Sequence, residues 1–280
     1  MQTLATIKKL LEERGLAPQH RFGQNFLIDH NLIRKLVDGA SLAPGDLVLE
    51  IGPGTGTMTE ELLERGCHVI AAELDRGMCD LLRSTIGQGP HAARFTLVEG
   101  DCLESKRELS GQIREQLAGR AFTLVSNLPY GAGTPVMTTI LATHTECRTL
   151  AVTIQREVAD RLTAKPRSKD YGPLSIIAQA VAHVEMVAVL PPECFWPRPD
   201  VTSAMVRITR RATPLTDDAQ SLAEACKALF AQRRKQIGWY LGREAAWPQG
   251  ITPTMRAEEL APEQFVELAR ARATLRTPRD

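Results

Sequence analysis

The segment Asn127-Leu128-Pro129-Tyr130 combines residue types that could act on an adenine amino group. The N6 nitrogen of adenine is a poor nucleophile because its lone pair is delocalised into the ring. Two acceptors that hold both N6 hydrogens would improve it, and the Asn127 side-chain carbonyl and the Leu128 backbone carbonyl suit that role. Tyr130 offers a flat face on which an extruded base can stack. The segment therefore predicts methyl transfer to adenine, with an ordinary Asn-Pro-type turn at the end of a strand as the alternative.

A glycine-rich turn lies upstream at residues 50–56, between an apolar run and a helical pattern. Glycine at Gly52 and Gly54 allows positive φ and lets a ligand lie against bare backbone. The spacing is G-x-G-x-G and not the G-x-G-x-x-G of dinucleotide binders, and Pro53 removes a backbone donor that a pyrophosphate would need. The turn therefore favours S-adenosylmethionine as cofactor, with a strand-to-helix turn that binds nothing as the alternative.

Acidic residues follow the next two predicted strands. Glu73 lies 21 positions after Gly52, where a carboxylate can accept from ribose hydroxyls. Asp75 competes for that role but suits the N-cap of the following helix. Asp101 comes after the third strand and could accept from the adenine amino group of the cofactor. A single acidic residue is usually a solvated charge in a loop, but acidic residues at the ends of successive strands favour a binding site.

A second aromatic candidate is Phe195, in a loop made rigid by Pro197 and Pro199. Its ring could form the opposite face of a base sandwich with Tyr130. A hydrophobic plug between strands is the alternative, and Trp196 suits simple packing. No His or Cys cluster has metal-ligand spacing, so we expect no metal.

Strand and helix patterns alternate along the first two thirds of the chain and predict a doubly wound α/β sheet. Residues 122–126 form the strand that leads into Asn127, and a polar helix is predicted over 105–117. Two later strands, at 184–190 and 203–209, have no strong helix between them. They predict an antiparallel edge on the parallel sheet.

From Pro214 onward every segment reads as helical, including residues 233–241. We therefore predict two domains. Residues 1–213 form a Rossmann-like class I S-adenosylmethionine methyltransferase domain that includes an N-terminal helix and loop. Residues 214–280 form a small all-helical C-terminal domain that contacts RNA.

The composition is that of an ordinary globular protein, with 43% hydrophobic and 24% charged residues among 280. No apolar run approaches the roughly 20 residues that a membrane span needs, and the N-terminus is not a signal peptide. Six scattered cysteines indicate reduced thiols. We expect a cytoplasmic monomer that binds no membrane. Its net charge of +1 argues against bulk attraction to nucleic acid, so an RNA site must depend on local clusters.

Together these segments resemble the ribosomal RNA adenine N6,N6-dimethyltransferases of the KsgA type, a Rossmann-like methyltransferase family. The resemblance covers nearly the whole chain, and its matching segments are 22–27, 50–56, 73–75, 100–101, 127–130, 155–162, 171–175, 195–203, and Phe230 with 233–235. It implies a substrate of two adjacent adenosines in the 3′-terminal hairpin of small-subunit ribosomal RNA. Each would receive two methyl groups, with S-adenosylhomocysteine as by-product and a role in small-subunit biogenesis.

The resemblance also implies roles for particular residues. Asn25 and Leu27 would cover the cofactor from the N-terminal side, and the residues lining its pocket would be Gly52, Glu73, Asp101 and Asn127. Arg233, Arg234 and Lys235 would contact RNA phosphates. Other basic clusters would as readily be solvated surface: Arg161, Lys165, Arg167 and Lys169, and then Arg270, Arg272, Arg276 and Arg279.

Two positions depart from the family pattern. Gly131-Ala132-Gly133 replaces the usual Asn-Ile-Ser, which predicts a more flexible loop after Tyr130. Asp200 replaces a lysine near the substrate loop, which removes a cation that RNA could use.

Three other interpretations remain. A large-subunit ribosomal RNA methyltransferase of the antibiotic-resistance type shares the catalytic motifs. A non-catalytic ribosome-assembly or transcription factor could keep the fold without the chemistry, although intact Glu73, Asn127 and Tyr130 argue against that. A nicotinamide oxidoreductase is disfavoured by Pro53 and the glycine spacing.

Overall fold

The computed structural model describes residues 1–105, 108–242 and 244–276, without the side chains of His20 and Arg276. The strands are β1 Phe26–Leu27, β2 Leu47–Ile51, β3 His68–Glu73, β4 Phe95–Glu99, β5 Leu103–Ser105, β6 Glu108–Leu109, β7 Phe122–Asn127, β8 Cys147–Gln155, β9 Ala182–Leu190, β10 Phe195–Trp196 and β11 Ser203–Arg210. The helices are α1 Leu4–Glu12, α2 His30–Gly39, α3 Thr57–Glu64, α4 Arg76–Ser84, α5 Gly111–Leu117, α6 Gly133–Thr143, α7 Arg156–Thr163, α8 Pro173–Val181, α9 Ala219–Phe230, α10 Gly238–Leu241 and α11 Pro262–Arg276.

One seven-stranded sheet organises the molecule, in the order β4-β3-β2-β7-β8-β11-β9. The strands from β4 to β8 run parallel, and β11 pairs antiparallel with both β8 and β9. The predicted antiparallel edge is therefore confirmed. The chain order reverses between β2 and β7, and sheets of this kind bind ligands beyond the carboxyl ends of the strands at that reversal.

The sheet is covered on both faces, as a parallel sheet requires. All five residues of β2 are buried. Leu49 and Ile51 belong to the core that includes residues of α5 and α6, whereas Val48 belongs to the core that includes residues of α2 and α3. Burial on both faces explains why this strand is a continuous apolar run interrupted only by Glu50.

The helices α9 and α11 pack against α8, and α9 also contacts α6. Their buried residues, among them Leu222 and Phe265, join the same core cluster as the sheet. The domain boundary near residue 213 stays a prediction. Among the described helices, none is both long and apolar enough to cross a membrane.

Two predicted helices are confirmed over only part of their predicted ranges. Among the described residues of 105–117, Gly111–Leu117 are helical, and β5 and β6 pair as short antiparallel strands before them. Over 233–241 only Gly238–Leu241 is helical. The backbone amide of Ile237 donates instead to the carbonyl of Met255, which holds this stretch against a neighbouring loop.

Candidate functional site

A cleft of about 630 Å³ opens at the carboxyl ends of β2, β3 and β7, at the reversal in strand order. Its walls come from four loops, at residues 21–26, 52–54, 100–103 and 198–201, together with the segment after β7. The cleft brings together most of the residues that the sequence predicts for the site: Asn25, Gly52, Gly54, Glu73, Asp101, Asn127, Pro129 and Tyr130.

The glycine turn needs its glycines. Gly52 and Gly54 have φ of +68° and +57°, in the left-handed region that side chains disfavour. A Cβ on Gly54 would lie 2.5 Å from the Phe26 ring, and one on Gly52 would lie 2.9 Å from Cγ of Pro129. The turn therefore supports both the N-terminal loop and the segment after β7 by close backbone contact.

Glu73 ends β3 with its carboxylate held by three backbone amides. Oε1 accepts from Leu74 and Asp75, both at 2.9 Å, and Oε2 accepts from Gly54 at 3.1 Å. Burial raises the pKa of Glu73, and these amide hydrogen bonds partly oppose the rise. A carboxylate offers about four acceptor sites, so capacity remains on Glu73 for a ligand hydroxyl.

Asp75 and Asp101 differ in their surroundings. Asp75 caps α4 through its side chain, as predicted, and is buried. Asp101 is exposed at the cleft wall, where its Oδ1 accepts from the Leu103 amide at 2.9 Å. Asp101 therefore has a carboxylate oxygen that can still meet a donor in the cleft.

Asn127 is the last residue of β7, and its orientation is fixed by the N-terminal loop. Its Nδ2 donates to the backbone carbonyl of Asn25 at 2.8 Å. With the amide nitrogen engaged, Oδ1 is the end of the side chain left for a donor, and it has no hydrogen-bond partner among the described residues. Asn25 thus acts through its backbone, which the sequence pattern could not reveal.

The residues after Asn127 form a compact turn. The Leu128 side chain is buried in the core, so only its backbone can serve a ligand. Pro129 packs against Gly52 and Gly23, and its carbonyl accepts from the amides of Ala132 and Gly133. Since α6 begins at Gly133, Gly131 and Ala132 form a short turn between Tyr130 and the helix, and the flexibility predicted for this loop stays a prediction.

Phe195 and Leu27 are not brought to the cleft. They face each other across the antiparallel pair β1–β10, and both rest in the core under α2 and α3. Phe195 is 3% exposed, so its ring is not available for the predicted base sandwich with Tyr130. Its position agrees with the alternative, a hydrophobic plug between strands. The stretch that does reach the cleft from this loop is Arg198-Pro199-Asp200-Val201.

The N-terminal loop is anchored by Gln24 and Phe26, to which the sequence analysis assigned no individual role. Gln24 donates from Nε2 to the Asp75 carboxylate at 2.9 Å, beside Glu73. Phe26 stacks on Trp196 with 6.2 Å between ring centroids, and Lys8 Nζ lies over the Trp196 ring at 5.4 Å from its centroid. For Gln24 and Phe26 the one signal available was their place in the resembling segment 22–27, whereas the packing role predicted for Trp196 agrees with its stacking on Phe26.

Glu50 is a buried titratable group below the glycine turn. It is 1% exposed, its Oε2 accepts from Thr59 at 2.7 Å, and its Oε1 has no partner among the described residues. Burial raises its pKa to about 8, with the nearby negative charge of Glu73 adding to the rise. Glu50 is therefore held in the neutral form at neutral pH.

The predicted RNA-binding residues divide into two kinds. Arg233 donates from Nε to Glu258 at 2.7 Å and from its NH2 group to the Lys169 carbonyl at 3.2 Å. Arg234 and Lys235 are exposed. Arg233 thus joins the α7–α8 loop to the C-terminal segment, while its two neighbours face solvent. In the last basic cluster, Arg279 and the Arg276 side chain lie outside the described residues.

The described residues contain no group of three or more His, Cys, Asp or Glu that could hold a metal ion. The fold and the cleft define a class I S-adenosylmethionine methyltransferase, with a glycine turn and an acid at the ends of adjacent parallel strands. Comparison with known proteins narrows this class. A family model described as ribosomal RNA adenine dimethylase matches residues 16–273. The chain belongs to the ribosomal RNA adenine dimethylase family.

Related proteins match this chain along nearly the full length of both sequences. A protein named ribosomal RNA small subunit methyltransferase A from Phenylobacterium zucineum is 39% identical over 276 residues, which cover 97% of this chain and 94% of the relative. One of the same name from Geobacillus kaustophilus is 37% identical, covering 96% and 95% of the two chains.

Solved structures share the fold. A dimethyladenosine transferase from Plasmodium falciparum matches with a TM-score of 0.69 at 19% identity, over 87% of this chain and 95% of that one. The 23S rRNA methyltransferase ErmE matches with a TM-score of 0.62 at 25% identity, over 88% of this chain and 99% of that one.

Proposed function

We propose that this protein transfers methyl groups from S-adenosylmethionine to N6 of two adjacent adenosines in the 3′-terminal hairpin of small-subunit ribosomal RNA. The product is N6,N6-dimethyladenosine, and the activity serves small-subunit biogenesis. The names of the full-length relatives support the choice of ribosomal subunit. We further propose that the protein works as a cytoplasmic monomer on a precursor of the small subunit.

One observation carries the chemistry: the hydrogen bond from Asn127 Nδ2 to the Asn25 carbonyl. It fixes the amide so that Oδ1 is presented as an acceptor in the cleft. An N6 hydrogen held there, with the second held by the Leu128 carbonyl, leaves the nitrogen lone pair directed away from both acceptors. Asn127 and Leu128 therefore prepare the nucleophile, and Tyr130 supports the base by stacking.

The cleft residues fit S-adenosylmethionine. The positive-φ glycines Gly52 and Gly54 leave bare backbone for the ligand, Glu73 has acceptor capacity for a ribose hydroxyl, and Asp101 can accept from an adenine amino group. Asn25 covers the cofactor from the N-terminal loop, and Leu27 supports that loop from the core. When bound, the cofactor supplies a methyl group already activated on a sulfonium.

RNA contact is proposed for the exposed Arg234 and Lys235, whose charges can bind phosphates without reading sequence. Arg233 is engaged by Glu258, and we assign it the support of this surface. Asp200 lies at the cleft wall, where a carboxylate disfavours a phosphate.

Action on large-subunit ribosomal RNA is the second candidate, favoured by the structural likeness to ErmE. It shares the cofactor and the acceptor chemistry, so only the choice of RNA separates the two functions. The experiment below therefore offers both subunits.

The test measures methyl transfer from labelled S-adenosylmethionine to unmodified small and large subunits, with the RNA digested to nucleosides. We expect dimethyladenosine from the small subunit alone. Label in the large subunit alone would replace the proposal by the second candidate. Absence of label from both, with S-adenosylhomocysteine still bound, would indicate a non-catalytic assembly factor.

Asn127→Ala tests the acceptor role within the same assay. We expect turnover to fall by roughly 100-fold, as when one preorganised hydrogen-bonding group is removed from an active site. The affinity for S-adenosylhomocysteine should change little. Asn31→Ala, at an exposed asparagine near the start of α2, is the matched control. Near-parental turnover of Asn127→Ala would refute the acceptor role.

A further inference from the structure

The Tyr130 hydroxyl forms a hydrogen bond with the Ser203 hydroxyl, with 2.8 Å between the oxygens. Ser203 is completely buried, whereas Tyr130 is half-buried at the cleft wall. The bond joins residues 73 positions apart in the sequence. It therefore connects the segment after β7 to the first residue of β11.

Ser203 is a fixed point in the sheet. It pairs with Gln155 of β8 on one side and with Leu190 of β9 on the other. A strand held on both edges cannot shift without breaking two ladders of backbone hydrogen bonds. The hydroxyl of Ser203 is thus presented to Tyr130 from a rigid part of the fold.

The residues next to Tyr130 give its ring little support of their own. Gly131 has no side chain, and a Cβ built on it would meet nothing within 4 Å. Ala132 adds one methyl group, and Gly133 begins α6. A tyrosine ring followed by such small residues depends on other contacts for its orientation, and the Ser203 hydroxyl is one that grips the far end of the ring.

We propose that Ser203 is a positioning residue for methyl transfer, which holds the Tyr130 ring in the plane that an extruded adenine stacks against. This inference rests on the proposed function, since it needs a base in the cleft. Burial also raises the pKa of Tyr130. The phenol is therefore neutral and already engaged by Ser203, which suits a platform for stacking and not a base.

The test is a double-mutant cycle of Tyr130→Phe and Ser203→Ala. Each variant keeps the aromatic ring and loses the hydrogen bond, so kcat/KM for RNA should fall about three- to tenfold. In the double variant kcat/KM should be no lower than in the more impaired of the two single variants, because both substitutions remove the same bond. Additive losses, or no loss in either single variant, would overturn the positioning role.

A spectroscopic measurement separates positioning from simple stabilisation. An RNA hairpin with 2-aminopurine at the target position, bound with S-adenosylhomocysteine, should show quenched fluorescence where the base stacks on Tyr130. Ser203→Ala should relieve part of the quenching. Ser175→Ala, at another fully buried serine whose hydroxyl donates to the Arg161 carbonyl, is the control and should lower stability without changing fluorescence. Equal fluorescence in parent and Ser203→Ala would refute the inference.

Tyr130→Ala distinguishes this inference from the proposed function. If Tyr130→Ala retains parental turnover, stacking on Tyr130 is wrong and the inference fails with it. If Tyr130→Ala is inactive while Tyr130→Phe and Ser203→Ala are parental, stacking stands and the role of Ser203 alone is refuted.

Discussion

Replacing Glu50 by glutamine should remove a loss of stability that the parent protein suffers as the pH rises from about 4.5 to about 8. Glu50 is completely enclosed, with one carboxyl oxygen bound by Thr59 and the other without a partner among the described residues. Ionisation there would leave a charge in the core with a single hydrogen bond. Burial is accordingly the main cause of its raised pKa, and Glu73 adds repulsion.

The sign and size follow from the two pKa values. The folded protein binds the Glu50 proton up to about pH 8, whereas the unfolded chain releases it near the ordinary value of 4.5. The stabilising contribution is therefore complete below pH 4.5, declines as the pH rises, and is lost above pH 8. A difference of this size corresponds to roughly 5 kcal/mol in the free energy of unfolding.

Urea unfolding followed by tryptophan fluorescence at several pH values between 5 and 8.5 provides the assay. Glu50→Gln keeps the shape of the neutral acid and the bond from Thr59, so it should match the parent near pH 5 and exceed it by several kcal/mol at pH 8. Glu115→Gln, on the exposed side of α5, controls for the loss of one negative charge. A difference between parent and Glu50→Gln that stays constant over the range would refute the reasoning.

Two further predictions follow from the contacts. Gly54→Ala should weaken binding of S-adenosylhomocysteine more than tenfold in calorimetry, because its Cβ would clash with Phe26. The control is Gly15→Ala, where φ is +62° and the surrounding space is open. It should lower the free energy of unfolding by about 1–2 kcal/mol through backbone strain and leave binding intact. Arg210→Met should lower the free energy of unfolding by about 2–4 kcal/mol at unchanged turnover, because the guanidinium of Arg210 donates to four carbonyls near the end of α6. The control is Arg207→Met, which loses only a surface ion pair with Glu185. Loss of binding in Gly15→Ala, or unchanged unfolding of Arg210→Met, would contradict them.

The sheet was predictable because burial on both faces leaves a strong local signal. The strand predicted over residues 122–126 is observed at Phe122–Asn127. The strands His68–Glu73 and Phe95–Glu99 carry the same signal. Each is a short apolar run that ends at an acid or a glycine, where the chain must leave the sheet. Such punctuation is local, and no knowledge of distant partners is needed to find it.

The helices predicted over 105–117 and 233–241 were too long because the conformation of their first residues depends on partners elsewhere in the chain. Polar residues before α5 have helical composition, but Ser105 pairs with Glu108 in two short antiparallel strands, and pairing depends on register and not on composition. Residues 233–237 are basic and helix-forming by propensity. Their conformation is decided by Arg256, which bridges to Gln236, and by the carbonyl of Met255, about 20 positions away.

The residues of the candidate site also divide into those that a local pattern reveals and those whose role depends on distant contacts. Side chains at the carboxyl ends of parallel strands, such as Glu73 and Asn127, could be assigned to one cleft because these ends meet at one edge of a sheet. Phe195 could not, since a one-residue change of register decides whether it or Trp196 faces inward. The backbone role of Asn25 was equally hidden, because a carbonyl acceptor has no residue type.

The site motifs depend on each other physically, and this explains why their combination is more specific than any one of them. Pro129 fills the space that bare backbone leaves at Gly52 and Gly23, so the glycine turn, the N-terminal loop and the segment after β7 pack as one unit. The Asn25 carbonyl then reaches Asn127 only because that loop lies where Pro129 and Phe26 allow. A Cβ added at Gly52 would lie 2.9 Å from Cγ of Pro129, and one added at Gly54 would lie 2.5 Å from the Phe26 ring, so either would displace a part of this unit. Cofactor binding and preparation of the adenine nitrogen should therefore be lost together at these glycines but separately at Glu73 and Asn127.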